Sequence, residues 1–492
     1  MEANNMEANP KEITLNIDGQ EVKAKEGATI LDAAKTIGVN IPTLCYIKAL
    51  SPFCSCRICS VEIVDKKGRK RLVTSCNYPV EEGLVVYTAS EKTLNTRKLL
   101  LELLLARCPK SPKIKELALE YGIQQSRFFS EDENEDCILC GLCTRVCDEL
   151  IGVQAINFTK RGVEREVTTP YHEFSNECIG CGACAVVCPT KSKRLHLTTY
   201  PTLEEDKLRI TARFLKGTRD EDNGVYMEML SGKSNIEGQD GGMATSLLLS
   251  GLQKGLFDAA IVVKRTDGYN SEAVVVENID DIIQAKGTKY LRVKMMALVA
   301  DLIAKGKRRL AMVGTACEIR SVRQIQEILL PKFPDLDLTL IGLFCFEAFD
   351  YEKLKSETKR LMDVDLDKAD KTQIKRGKFI VLTDGKEASC SVKDLDKAVE
   401  NGCVYCDDFT STLADISVGS VGSNDGYSTV IVRSERGNKL IENLNFTKAE
   451  VRKEDITRLS VLKKNRAKKN FAPMVQPQLK PDLPFSQDVI KT

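Results

Sequence analysis

The chain has 492 residues, with 72 Lys+Arg against 70 Asp+Glu and a formal net charge of +2. That length exceeds what one hydrophobic core supports, so roughly three or four folded units are expected. The balanced charge supplies no global field to draw the protein to nucleic acid or an anionic membrane. The longest apolar run, Leu99 to Ala106, carries Glu102 and falls far short of the roughly 20 residues needed to span a bilayer. The N-terminus lacks the basic-then-apolar order of a secretory signal, so the cytoplasm is the expected compartment.

In chain order, residues 12–37 alternate as strand, turn at Asp18-Gly19, strand and helix, the opening of a β-grasp. The pattern is helical from about 91 to 125, where Leu94, Leu99, Leu100, Leu103 and Leu104 are read as the apolar face. A cysteine-dense region runs from Cys137 to Cys188, and a charged stretch without clear periodicity follows. After Gly232, apolar helices alternate with the strands Ala259–Val263, Arg309–Val313 and Leu338–Phe344, the signature of an α/β domain. The last residues, with paired lysines at 463–464 and 468–469 and prolines 473, 477, 481 and 484, read as an extended tail.

Nineteen cysteines against two histidines, His172 and His196, call for thiolate chemistry. A disulfide framework would need an oxidising compartment, whereas cysteines two and three residues apart converge on one metal centre. Soft ligands of this kind select iron–sulfur clusters or zinc.

Cys45, Cys56, Cys59 and Cys76 stand in the order C-x10-C-x2-C-x16-C, within Ile41-Pro42-Thr43-Leu44-Cys45, Cys56-Arg57-Ile58-Cys59-Ser60-Val61-Glu62 and Thr74-Ser75-Cys76. Three thiolates from one loop and a fourth from a following strand can wrap two irons. This segment resembles the 2Fe-2S domain of the large iron–sulfur subunit of respiratory complex I and of iron-only hydrogenases. Cys54 is spare, and Cys108 is expected to pack rather than ligate, because the His/Cys3 motif that often follows in that family is missing here. Cys137-x2-Cys140-x2-Cys143-x3-Cys147 recurs as Cys178-x2-Cys181-x2-Cys184-x3-Cys188-Pro189. In the bacterial two-cluster run the fourth cysteine ligates the other cluster. Cys137, Cys140, Cys143 and Cys188 are therefore expected to hold one 4Fe-4S cluster, and Cys178, Cys181, Cys184 and Cys147 the second. The glycines at 141, 180 and 182 would let backbone N–H groups approach the sulfides.

Further on stand Gln239-Asp240-Gly241-Gly242-Met243-Ala244-Thr245-Ser246, Lys286-Gly287-Thr288-Lys289-Tyr290 and Gly314-Thr315-Ala316-Cys317-Glu318-Ile319. With Cys345, Cys403-Val404-Tyr405-Cys406-Asp407-Asp408-Phe409 and Ala414-Asp415-Ile416-Ser417-Val418-Gly419, they resemble the beta subunit of coenzyme F420-reducing hydrogenase. That family includes the beta subunit of deazaflavin-dependent formate dehydrogenase and the input subunit of the archaeal F420 dehydrogenase. The resemblance implies FAD and a third 4Fe-4S cluster, the latter on Cys317, Cys345, Cys403 and Cys406, with Cys390 a bystander. It places the flavin near Gly241, Gly242, Thr245, Ser246, Lys286, Gly287, Thr288, Tyr290, Gly314 and Thr315. The chain has no GxGxxG fingerprint and no P-loop; Gly241-Gly242 before a helix would offer N–H groups to a phosphate.

The expected architecture is α+β and multidomain: a 2Fe-2S β-grasp ferredoxin at 10–90, a helical connector at 91–130, a bacterial-type two-cluster ferredoxin at 131–200, a linker at 201–228, an α/β flavin and 4Fe-4S domain at 229–455 and an extended tail at 456–492. The expected function is hydride exchange between coenzyme F420 and FAD, with single electrons relayed through the clusters to or from a partner. That partner would be a hydrogenase, a formate dehydrogenase, a heterodisulfide-reductase-like protein or a membrane dehydrogenase. The alternatives are the same relay fed by NAD(P)H or another carrier, and a relay-only subunit with a degenerate flavin site. No catalytic acid or base is assigned.

Overall fold

The computed structural model describes residues 12–474 except 173, 174, 176, 179, 180, 193–203, 237 and 267. His196, Gly180 and the prolines at 477, 481 and 484 lie outside the described residues.

The first unit is a five-stranded sheet, order β2-β1-β5-β3-β4, from β1 (Glu12–Ile17), β2 (Gln20–Lys25), β3 (Ser60–Val64), β4 (Lys70–Thr74) and β5 (Val85–Tyr87), crossed by α1 (Ile30–Thr36). Strict alternation puts Ile13, Leu15 and Ile17 into the core. The two turn residues after β1 both have positive φ, Asp18 at 51° and Gly19 at 86°, as a tight two-residue hairpin requires. Thr29 opens α1 with a capping box: the Asp32 N–H donates to Thr29 Oγ1 at 3.1 Å, and the Asp32 carboxylate accepts from the Thr29 N–H.

The connector consists of α2 (Glu91–Arg107) and α3 (Pro112–Glu120). Its buried face corrects the expectation. Leu94, Leu99 and Leu103 are exposed, Leu100 and Leu104 pack partly buried against the core as expected, and Thr93, Arg97, Leu101 and Leu105 are buried. Leucines occur all round α2, so composition does not mark a face. The stripe at four-residue spacing turns inward because Arg97 donates to the Ser60 carbonyl at 2.8 Å, which satisfies a polar group beneath the β-grasp.

The two-cluster unit has pseudo-repeat geometry. Gly141 (φ 71°) precedes the one-turn helix α4 (Leu142–Arg145), and Gly182 (φ 78°) precedes α5 (Ala183–Val186). Both glycines hold the left-handed conformation that lets a cysteine loop enter a helix. The short strands β6 (Asn157–Thr159) and β7 (Glu166–Thr168) fill the insertion between the repeats.

The stretch expected to be a linker is structured where it is described. α6 (Glu204–Phe214) buries Ile210 in the core of the following domain, and Arg209 and Arg213 pair with Glu327. β8 (Thr218–Asp220) and β9 (Gly224–Tyr226) form a hairpin. Of the charges that suggested a connector, Arg209 and Arg213 lie on the exposed side of this helix, while Lys207 reaches inward to Asp407.

The C-terminal domain is built on β10 (Glu228–Ser234), α7 (Met243–Gln253), β11 (Ala259–Arg265), β12 (Ser271–Val276), α8 (Ile279–Gln284), α9 (Met296–Ala304), β13 (Arg309–Thr315), α10 (Ala316–Leu329), β14 (Asp337–Leu343) and α11 (Tyr351–Met362). A three-stranded meander follows, β15 (Lys371–Lys375), β16 (Lys378–Thr383) and β17 (Lys386–Ser391), the last carrying Cys390. β18 (Ile416–Gly419), β19 (Ser428–Val432), α12 (Glu435–Ile441) and β20 (Phe446–Ala449) complete it. The eight-stranded sheet runs β12-β11-β13-β14-β18-β19-β10-β20, and its middle strands β11, β13, β14 and β18 are parallel. Both faces of the sheet are covered: Ile261, Met296, Val299, Ile319 and Leu340 pack on one side, and Leu247, Phe257, Val262, Ile341 and Leu440 on the other.

The extended tail expected from 456 is, through residue 471, the helix α13 (Lys453–Phe471). Its buried residues Ile456, Ser460, Lys463, Ala467 and Phe471 form a helical stripe. The lysine pairs that suggested an extended tail fall on this helix, and Lys463 lies inside its buried stripe.

Candidate redox centres

The β-grasp brings Cys45, Cys56, Cys59 and Cys76 together, all buried. The Cys56 thiol donates to Cys45 Sγ at 3.3 Å. A hydrogen bond from its neighbour lowers the pKa of Cys45 (from Cys56) and of Cys59 (from Cys76) below the ordinary thiol value, despite burial. The same bonds, together with burial, raise the partner thiols Cys56 and Cys76, so each pair shares a proton. Half-buried Cys54, in the left-handed conformation at φ 57°, lies 3.8 Å from Cys76 Sγ. Cys108 is fully buried in an apolar cluster with Leu101, Leu105 and Ile114, and burial pushes its thiol up to about 12.

In the ferredoxin unit a cavity of about 370 Å³ is lined by Cys137, Cys140, Cys143 and Cys188. The fourth thiol therefore comes from the far end of the second run. Backbone N–H groups already aim at the two crossing sulfurs: Ala155 N at 3.2 Å from Cys147 Sγ and Ser192 N at 3.3 Å from Cys188 Sγ. The unit abuts the β-grasp through Arg145, which donates to the Cys45 carbonyl at 2.8 Å and to the Ser51 carbonyl and lies over the Phe53 ring. One continuous core holds Cys45 and Cys56 together with Cys140, Cys143, Cys147, Cys184 and Cys188.

The third thiol group comes from three separate places in the α/β domain. Cys317 lies in the first turn of α10, which Thr315 opens with a capping box to Glu318. Cys345 follows β14. Cys403 and Cys406 lie on and just after the 3-10 turn Asn401–Tyr405. All four line one cavity, and Cys178 and Cys181 of the ferredoxin unit line the same cavity. Arg292 and Lys294 fasten the two units at this wall by donating to Glu177, at 2.6 Å to its carbonyl and 2.5 Å to its carboxylate.

No group of three His, Cys, Asp or Glu side chains among the described residues is close enough to hold a single metal ion. At the second and third groups the thiols surround a space instead of meeting at a point. That geometry suits a polynuclear cluster better than zinc.

Charged residues missed in the sequence frame the cavity of the third thiol group. Buried Arg320 donates to Asp407 Oδ1 at 2.6 Å. Burial alone would raise the Asp407 pKa, but Arg320 and then Lys207 outweigh it and hold the carboxylate well below the usual range. Lys463, 2% exposed, donates to the carbonyls of Cys345 at 2.5 Å and Asp408 at 2.9 Å. Burial works against its charge, and the Cys406, Cys345 and Cys403 thiols more than compensate, so its pKa rises.

The residues expected around a flavin fall into two places. Gln239 joins the first two phrases: its side-chain oxygen accepts from the Thr288 N–H at 3.0 Å, and its amide nitrogen donates to Tyr290 Oη at 3.3 Å and the Thr372 carbonyl at 3.0 Å. Gly241, Gly242, Thr245 and Ser246 are thus tied to the loop of Lys286, Gly287, Thr288 and Tyr290. Gly314 and Thr315 stand apart, at the end of β13, and Thr315 Oγ1 lies 3.2 Å from Cys317 Sγ. They belong to the wall of the third thiol group.

The Gly-Gly pair has a packing explanation. A Cβ on Gly241 would lie 2.3 Å from the Gly232 carbonyl oxygen, and one on Gly242 (φ 67°) would lie 2.1 Å from that of Ile236. The Gly241 N–H, expected to be free for a phosphate, is bonded to Ser428 Oγ at 3.0 Å. The first turn of α7 nevertheless has no side-chain cap and no acidic residue. Its amides and the Thr245 hydroxyl suit a phosphate.

Four family models match the chain. Two describe the coenzyme F420 hydrogenase/dehydrogenase beta subunit, its N-terminal part at residues 229–300 and its C terminus at 307–457. The others are a 2Fe-2S iron-sulfur cluster binding domain at 10–91 and a 4Fe-4S dicluster domain at 136–192. The coenzyme F420-dependent sulfite reductase of Methanocaldococcus jannaschii is 32% identical over 68% of this chain, which spans 50% of that protein's length. A subunit of the F(420)H(2) dehydrogenase of Methanosarcina mazei is 29% identical, over 63% of this chain and 82% of that protein. The coenzyme F420 hydrogenase subunit beta of Methanosarcina barkeri is 33% identical, over 44% of this chain and 78% of that protein. The chain therefore belongs to the coenzyme F420 hydrogenase/dehydrogenase beta-subunit family, with 2Fe-2S and 4Fe-4S ferredoxin domains joined to its N-terminal side.

Proposed function

We propose that this chain is the electron-transfer subunit of a larger redox complex and exchanges reducing equivalents between coenzyme F420 and a partner oxidoreductase. When bound, FAD would supply the interchange between two-electron and one-electron chemistry, and the clusters would supply one-electron transfer. Cys45, Cys56, Cys59 and Cys76 would hold a 2Fe-2S cluster. Three 4Fe-4S clusters would be held by Cys137, Cys140, Cys143 and Cys188; by Cys178, Cys181, Cys184 and Cys147; and by Cys317, Cys345, Cys403 and Cys406. The first turn of α7 and Thr245 would bind a flavin phosphate, and the loop 286–290 would close over it. The remaining work of the polypeptide is to exclude water and fix the gaps between centres.

The observation that carries this reading is the cavity shared by Cys178, Cys181 and the third thiol group. It makes the ferredoxin unit and the α/β domain neighbours at the thiols themselves. The relatives named as hydrogenase and dehydrogenase subunits support a partner of that kind. The engaged Gly241 N–H favours a second reading, a relay-only subunit that carries no flavin.

Anaerobic purification with iron, sulfide and flavin quantified per chain separates the two readings. Reduced F420, NADH and NADPH would then be added separately while cluster absorbance is followed. The proposal expects bound FAD and bleaching by reduced F420. Bleaching by NAD(P)H alone, or a protein with full iron and no flavin, would overturn it.

A further inference from the structure

A lysine with almost no contact with water is costly unless an opposite charge lies nearby. Lys463 has no carboxylate within ion-pairing distance among the described residues. Its ammonium has three N–H donors, and the protein acceptors on two of them are the carbonyls of Cys345 and Asp408. The side chain lines the cavity of Cys317, Cys345, Cys403 and Cys406. Its neighbours on α13 grip the same two cysteine loops: Arg466 donates to the carbonyls of Phe346 at 3.0 Å and Cys403 at 3.2 Å, and Asn470 to that of Val404 at 3.0 Å. Those three hydrogen bonds hold the loops in place. Lys463 adds a buried positive charge that no carboxylate among the described residues pairs with directly; the charges that act on it are those of Cys406, Cys345 and Cys403 and, after them, Asp408. It also lies past residue 457, where the family match ends.

A cluster held by four thiolates is an anion, and taking up one electron adds one negative charge. The potential of such a centre depends on net charge, hydrogen bonding and solvent exposure, and a fixed cation in a dry site acts at short range and with little screening. We propose that Lys463 is the positioning residue that sets the potential of the third thiol group's cluster, favouring its reduced form over what the thiolates alone would allow. The electron comes from, or returns to, the neighbouring ferredoxin centre, and no bond or proton changes hands. The inference rests on the 4Fe-4S reading of Cys317, Cys345, Cys403 and Cys406.

The test is a redox titration of the full-length protein, prepared anaerobically and followed by electron paramagnetic resonance. The signal absent from a Cys345→Ser protein identifies the relevant centre; if that variant loses neither iron nor signal, the cluster reading fails, whatever Lys463 does. In K463M and K463Q, the reduced-to-oxidised ratio of this centre at the wild-type midpoint is expected to fall at least tenfold. For a one-electron couple that is a downward shift of about 59 mV. K464M, which alters a neighbour bonded instead to the Glu221 carbonyl and Asp222, should leave the ratio within about twofold. Either Lys463 variant that keeps its iron carries the comparison. An unchanged midpoint with full iron overturns the proposal. So does loss of this cluster from both uncharged variants, because Lys463 would then be holding the loops and not setting their charge.

Discussion

Asp407 follows the ligand-position residue Cys406, and its pairing with Arg320 can be probed without touching a thiol. The pair is 2.6 Å apart with side chains 8% and 6% exposed. Lys207, 3.8 Å from the other carboxylate oxygen, is a quarter exposed and contributes less. D407N keeps the volume and removes the charge, leaving Arg320 buried without its counter-ion. Breaking a buried pair in this way costs about 3–5 kcal/mol, whereas water screens an exposed pair such as Lys359 with Asp363. At an m-value of about 3 kcal/mol/M the urea midpoint of the C-terminal domain should fall by about 1–1.7 M in D407N, and by less than about 0.3 M in D363N. The double variant Arg320→Met/Asp407→Leu should recover most of the loss, since an apolar replacement of both partners removes the desolvation cost as well.

The pH dependence has a definite sign. The Asp407 pKa is depressed in the folded state, so its stabilisation is fully present above the unfolded carboxylate value of about 3.9. It is lost as pH falls through the lower folded value. The gap between wild type and D407N should be flat from neutrality to about pH 5 and close only in stronger acid. A D407N midpoint within about 0.3 M of wild type, or a double variant no better than the single, would refute the reasoning.

Two further perturbations test the thiol geometry and the flavin loop. C188S should remove the cluster that C140S removes, and C147S the one that C181S removes, each at a cost of up to about four irons per chain; iron analysis with paramagnetic resonance reads this, and the opposite pairing would show that the runs do not cross. G242A should lose more than 2 kcal/mol of thermal stability, at least roughly the strain of a left-handed alanine plus the clash, together with most of its flavin. G287A has φ 92° but nothing within 4 Å of the added Cβ, so it should lose only about 1 kcal/mol and keep its flavin.

What could be read from the sequence was local. Cysteines at intervals of two and three residues stay close in any fold, so Cys137 to Cys147 and Cys178 to Cys188 declare themselves; so does the Asp18-Gly19 turn. The signal failed where burial depends on distant partners. α2 carries leucines on every side, and its inward face is decided by a carbonyl at Ser60. Lys463 reads as part of an extended tail because its acceptors, at Cys345 and Asp408, are more than fifty residues away in sequence. Thr315 was grouped with the flavin by its phrase, but the capping box that opens α10 places it against Cys317. The Gly241-Gly242 pair matched a phosphate-loop idea through composition, whereas backbone crowding from Gly232 and Ile236 already demands glycine there.

The wall where Cys178 and Cys181 stand with Cys403 and Cys406 joins two modules that in other settings could be separate molecules. A ferredoxin that diffuses must find its reductase, and its turnover falls as the solution is diluted or salt screens the encounter. Here both modules belong to one chain, so on the proposed function electron passage across the junction would be a first-order event whose half-time is indifferent to protein concentration and ionic strength. Any collision-limited step would then lie where the carrier and the partner bind.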